Sequence, residues 1–161
     1  MEGLIPKKWG ESAVEIPGAR SLISSLGPLS VPWSIVTSGT APLVTGWLER
    51  LALPKPQHLV VAENVENGKP DPACYRMGLE KLHMQERAPG VLVLEDSPAG
   101  IRAGKAAGCR VLAVVTSHTV DQVVDAGPDW VVRDLRSVRV VGLDGRGDGV
   151  VLEIRDALLK P

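Results

Sequence analysis

The chain reads as an α/β layer fold with a parallel sheet and a β-hairpin at its C-terminal end. Three observations predict this. Short apolar runs that end in small polar loops are followed by apolar residues at helical spacing, and the unit recurs along the first two-thirds of the chain. With no Phe and one Tyr in 161 residues, aliphatic side chains and Ala must fill the core, which suits packed layers better than an aromatic-rich sandwich. Near the end, two strand-like runs flank the turn-rich segment Asp144 to Gly149.

In chain order, Ala19 to Leu26 places Leu22, Ile23 and Leu26 on one helical face, and Gly27-Pro28 stops the helix. Trp33 to Thr37 is a short apolar strand. It ends in Ser38-Gly39-Thr40 and passes into Leu43, Val44, Trp47, Leu48 and Leu51 at helical spacing. His58 to Ala62 reads as the next strand, Glu63 to Asp71 as a polar loop, and Pro72 to Leu82 as a helix opened by proline. Val91 to Leu94 runs into Glu95-Asp96-Ser97-Pro98, an Ala- and Gly-rich helix reaching Gly108, and a buried strand Val111 to Val115. Thr119 or Thr116 caps a short helix over Val120 to Ala126, and Trp130 to Val132 forms a further strand. Such alternation implies parallel pairing with right-handed crossovers. Val138 to Val141 and Val150 to Ile154 then form the hairpin, which divides the chain into a lead-in over 1–16, a core over 17–136 and a tail over 137–161. Trp33, Trp47 and Trp130 fall on core faces; Trp9 is ambiguous.

A formal net charge of −1 with dispersed basic residues gives no footprint for nucleic acid. There is no apolar run of membrane-span or signal-peptide length, so the chain is expected to be cytoplasmic and free of membranes. Cys74 and Cys109 have no partners at metal-ligand spacing and read as reduced thiols.

In open parallel sheets, ligands sit beyond the carboxyl ends of the strands, where helix N-termini offer N–H groups to anions. Three loops qualify here, carrying a hydroxyl pair (Thr37, Ser38), a lysine between glycine and proline (Lys69) and an acidic pair (Glu95, Asp96). Together they read as a site for phosphate and Mg²⁺. Each has a plainer reading beside it: a helix cap for Thr37 and Ser38, a solvated loop residue for Lys69, an N-cap for Asp96 with Ser97. Asn64 and Glu66 are further candidates for the pocket wall. His58, His83 and His118 lack a neighbouring carboxylate at a spacing that argues a dyad, and no role is assigned to them.

At these loops the chain resembles the haloacid dehalogenase superfamily. Val36-Thr37-Ser38-Gly39-Thr40 looks like its second motif, Gly68-Lys69-Pro70-Asp71-Pro72 like its third, and Leu94-Glu95-Asp96-Ser97-Pro98-Ala99-Gly100-Ile101 like its fourth. The resemblance spans roughly Ile16 to Val132 and implies a Rossmann-like core. The Ile16-Pro17-Gly18-Ala19 entry and the Thr-Ser-Gly-Thr loop look most like phosphatases of small sugar or polyol phosphates, including glycerol phosphate and 2-deoxyglucose-6-phosphate enzymes. By resemblance Thr37 binds the transferring phosphoryl group with Ser38 and Gly39, Lys69 neutralises its charge, and Asp96 and Glu95 hold Mg²⁺.

The family pattern also requires an earlier strand ending in Asp-x-Asp, whose first carboxylate attacks phosphorus. No Asp precedes Ile16, and Met1 to Glu15 resembles the end of a helical cap. Asp144 and Asp148 are no substitute, since no long buried strand leads into them. By resemblance the missing strand is central, so its absence is expected to leave a gap or two raw sheet edges, with four outcomes open: direct closure, a homodimer, a strand-completing partner, or a marginally stable chain. The expected function is therefore a truncated phosphomonoesterase core, inactive alone. The alternatives are a non-catalytic phosphate-binding regulator and an enzyme repurposed for another reaction.

Overall fold

The computed structural model describes residues 5–6, 12–147, 149–159 and 161. Much of the lead-in assigned to 1–16, including Trp9, lies outside the described residues, as does Asp148. Among them no helix is long and apolar enough to cross a membrane.

The elements run α1 (Ala19–Leu26), β1 (Ser34–Val36), α2 (Ala41–Arg50), β2 (His58–Val60), α3 (Ala73–Lys81), β3 (Leu92–Glu95), α4 (Pro98–Ala106), β4 (Arg110–Val114), α5 (Val120–Val124), β5 (Trp130–Val132), β6 (Val138–Leu143) and β7 (Val150–Ile154). Each expected strand and helix forms, most with ends shifted by a residue or two. Among the described residues the parallel strands make two separate sheets, not one: β1 pairs β2, and β3, β4 and β5 pair in that order. Among these residues β1 and β3 are each paired on one side only, and residues from both strands line one cleft, so the expected gap is placed between them.

Alternation along β4 shows how the core is assembled. Val111 and Ala113 face a cluster with Tyr75, Leu79, Ile101, Ala103, Val123 and Val131. Leu112 and Val114 face the other side, against Leu22, Val132 and Val138. A strand covered on both faces must be apolar at every position, which is why Val111 to Val114 reads as an unbroken hydrophobic run.

The hairpin is part of this second layer. Val138, Val140, Leu152 and Ile154 pack with α1 over the sheet, while Arg139 and Glu153 pair outward. The strands are antiparallel, with a register irregularity between Val140 and Gly142. The chain end contributes one feature the sequence did not suggest: Leu158 N–H donates to Val131 O at 2.7 Å and Val131 N–H to Leu159 O at 3.2 Å, covering the outer edge of β5. Trp130 joins the second cluster, and Trp33 and Trp47 are half-buried.

Candidate active site

The loops after β1 and β3 open onto one cleft of about 440 Å³. Its walls carry Thr37, Ser38, Gly39, Lys69, Glu95, Asp96 and Ser97, with Thr116 from the end of β4. Apolar residues Ile16, Val36, Leu94, Val114 and Leu135 complete it. All six residues singled out for phosphate and metal therefore line a single cleft. Asn64 and Glu66 do not: Asn64 Oδ1 instead accepts the Val61 N–H at 2.9 Å, closing the turn after β2.

The first loop is held from several directions. Thr37 N–H donates to Val60 O at 2.9 Å, and the Thr37 hydroxyl oxygen accepts the Gly39 N–H at 3.0 Å. That bond uses a lone pair and leaves the hydroxyl proton available to an anion. The loop does not cap α2 with its own side chains. Ala41 N–H is taken by the Glu63 carboxylate at 3.1 and 3.2 Å, and Thr40, the capping residue, makes no side-chain cap bond. A long-range partner has taken the job that local sequence offered to Thr37 and Ser38.

Lys69 and Glu95 form a nearly buried ion pair, their side chains 11% and 6% exposed. The ammonium donates to Glu95 Oε1, to Tyr75 Oη at 3.1 Å and, over a longer 3.4 Å, to Val36 O. These three partners match its three protons. Glu95 is equally engaged: Oε1 also accepts the Tyr75 hydroxyl, while Oε2 accepts the backbone N–H groups of Asp96 and Ser97 at 3.1 and 3.3 Å and the Ser97 hydroxyl at 3.1 Å. Burial by itself would raise the Glu95 carboxyl pKa, but the Lys69 charge and these hydrogen bonds outweigh it and hold the group below the ordinary carboxylate value. Tyr75 is pushed far above the normal phenol value, first by burial and then by the Glu95 charge. Gly100 makes the arrangement feasible, because a Cβ there would overlap the Glu95 carboxyl group. Tyr75 was missed in the sequence, where it is only an apolar position of α3.

Asp96 behaves differently. It is exposed, its Oδ2 accepts hydroxyls from Thr116 and Ser117 at 3.0 and 3.1 Å, and Oδ1 takes no hydrogen bond among the described residues. No group of three His, Cys, Asp or Glu side chains able to hold a metal ion occurs among the described residues. Mg²⁺ needs less than that, since it retains several waters and is commonly bound through one or two carboxylates. Asp96 fits that requirement; Glu95, with both oxygens committed to protein donors, presents no oxygen toward such an ion.

Residues 6–114 match the family described as haloacid dehalogenase-like hydrolase. The chain is 37% identical to glycerol-1-phosphate phosphohydrolase 2 of Saccharomyces cerevisiae, over 99% of its own length and 69% of that protein's. It is 34% identical to 2-deoxyglucose-6-phosphate phosphatase 2 of the same yeast, over 90% of its length and 64% of the relative's. Among solved structures, CbbY from Rhodobacter sphaeroides in complex with xylulose-1,5-bisphosphate superposes with a TM-score of 0.68 at 26% identity, covering 83% of this chain and 58% of that one. The chain thus spans about two-thirds of the length of its curated yeast relatives and less of the solved chain.

Proposed function

Since the chain belongs to the haloacid dehalogenase-like hydrolase family, we propose that it is the core of a Mg²⁺-dependent phosphomonoesterase acting on a small sugar or polyol phosphate. The observation that carries this reading is the convergence of a hydroxyl, an ammonium and a carboxylate with one uncommitted oxygen on one cleft. The Thr37 hydroxyl proton and the Ser38 N–H, which has no acceptor among the described residues, hydrogen-bond the phosphoryl oxygens. Lys69 offers its charge. Its long bond to Val36 O is the weakest of the three and is exchanged for a phosphoryl oxygen, while Glu95 and Tyr75 keep the ammonium aimed at the cleft. Asp96 would hold Mg²⁺, which when bound supplies positive charge to the phosphoryl oxygens. Catalysis of phosphoryl transfer rests mainly on such positioning and charge stabilisation.

A phosphoryl acceptor is also required. Among the described residues, the only carboxylates lining the cleft are Glu95, fully hydrogen-bonded, and Asp96. We therefore assign the nucleophile to a carboxylate on another segment or chain, seated as a strand between β1 and β3, where Leu94 is 44% exposed although it belongs to a parallel sheet. These 161 residues alone then bind phosphate without turning substrate over. The same behaviour would suit a non-catalytic phosphate-binding protein, and turnover on supplying an Asp-bearing strand separates the two. The direct check is hydrolysis of glycerol phosphate and hexose phosphates by this chain with Mg²⁺. No turnover is expected; robust activity abolished by Asp96→Ala would contradict the assignment.

A further inference from the structure

We infer that Thr116, Ser117 and His118 are positioning residues that hold Asp96 in the orientation a divalent cation requires. The inference rests on the cleft being a phosphate and metal site, but it concerns three residues to which that reading gives no task. Thr116 Oγ1 and Ser117 Oγ donate to the same oxygen of Asp96, Oδ2, at 3.0 and 3.1 Å. Two donors on one oxygen fix the plane of the carboxylate and turn Oδ1 outward. Both donors are neutral. Glu95 has its charge met by Lys69, whereas Asp96 has no cationic partner among the described residues, so its negative charge remains available to a cation.

The arrangement extends one residue further. Ser117 has a single hydroxyl proton, which is committed to Asp96, yet its oxygen lies 3.0 Å from His118 Nδ1. That contact is a hydrogen bond only if the imidazole donates from Nδ1, so the donors run in one direction, from His118 to Ser117 to Asp96. The geometry thus assigns the ring a tautomer.

The segment that carries these groups is tied at both ends. Val115 N–H donates to Val132 O at 2.9 Å, extending the β4–β5 pairing. Thr119 then caps α5 reciprocally, its N–H donating to Gln122 Oε1 at 3.0 Å and its hydroxyl accepting the Gln122 N–H at 3.3 Å. Three side chains on a support fixed on both sides are what a ligand needs to be held in one orientation, and partners behind a metal ligand commonly contribute about 10–100-fold in metal affinity.

The test uses the 161-residue chain with Mn²⁺ as a spectroscopic stand-in for Mg²⁺, titrated by electron paramagnetic resonance. The variants are Asp96→Asn, Thr116→Val with Ser117→Ala, and Thr116→Ser. Thr116→Val/Ser117→Ala is expected to weaken Mn²⁺ binding about 10-fold or more with the Tm of the metal-free chain little changed, and Thr116→Ser to retain it. If the double variant loses its fold, Ser117→Ala alone carries the test, with weakened Mn²⁺ binding again expected. Nitrogen-15 NMR should show His118 protonated at Nδ1 in the parent, with that preference lost in Ser117→Ala. Parent-like Mn²⁺ affinity in the double variant, with loss of binding in Asp96→Asn, overturns the positioning role and leaves the metal reading standing. Unchanged binding in Asp96→Asn, or no binding by the parent, overturns the metal reading and this inference with it.

Discussion

Glu95 and Asp96 are neighbouring carboxylates at the end of one strand, and the alternation of side chains along a strand sends them opposite ways. Glu95 goes inward and becomes the anchor of Lys69; Asp96 goes outward to the cleft. The sequence shows that two acids sit there, but not which is consumed internally, because that depends on Tyr75, twenty residues away on another element. Replacing Tyr75 with Phe leaves the buried Glu95 one donor short and is expected to cost about 1–3 kcal/mol, measured by urea denaturation. The phenol also has a direct optical signature, since Tyr75 is the only tyrosine. Its raised pKa means that the folded chain keeps it neutral where a free phenol, near 10, ionises. Its contribution to stability is complete below that value and declines as pH rises above it, so tyrosinate absorbance should appear together with alkaline unfolding. Tyrosinate formation near pH 10 in a chain that remains folded would refute the buried arrangement. Glu95 has the opposite sign: its lowered pKa gives stability that is present above the ordinary glutamate value, about 4.3, and is lost as pH falls through the depressed folded value.

At the scale of elements, α4 begins where the site needs it. Ser97 accepts the Gly100 N–H at 3.0 Å as the N-cap and donates to Glu95 Oε2, so the residue that starts the helix also secures the Lys69 anchor. Ser97→Ala is expected to cost about 1–2 kcal/mol by the same denaturation measurement. Gly100→Ala, despite a better helix propensity, is expected to be destabilising by about 1–3 kcal/mol, because the new methyl overlaps the Glu95 carboxyl group. The strand-loop-helix rhythm was legible because periodicity is a local signal. The helix starts were less so: Thr119 caps α5 as its capping-box pattern allows, whereas α2 takes Glu63 from the next loop, a partner no local pattern reveals. The same holds for Thr116 and Ser117, which reach Asp96 only because β3 and β4 pair in parallel with Glu95 opposite Ala113.

For the whole molecule, the division into two parallel sheets is the defining property. β4 is paired on both sides and covered on both faces, so its amides are expected to be the slowest to exchange with deuterium, while β1 and β3, which border the gap, exchange faster. Equal protection across all five strands would mean that the gap is closed in solution. The sequence foretold the gap only through family resemblance; composition and periodicity alone describe strands without saying which neighbours are missing. The cleft in that gap must nonetheless be one site if the account is correct. The measurement that tests this most directly is calorimetric titration of inorganic phosphate, with and without Mg²⁺, into the parent chain and into Thr37→Val, Lys69→Ala and Asp96→Asn. Mg²⁺-enhanced binding that is weakened in Thr37→Val, lost in Lys69→Ala and made indifferent to Mg²⁺ in Asp96→Asn is the expected result. Phosphate affinity unaffected by all three substitutions would contradict it.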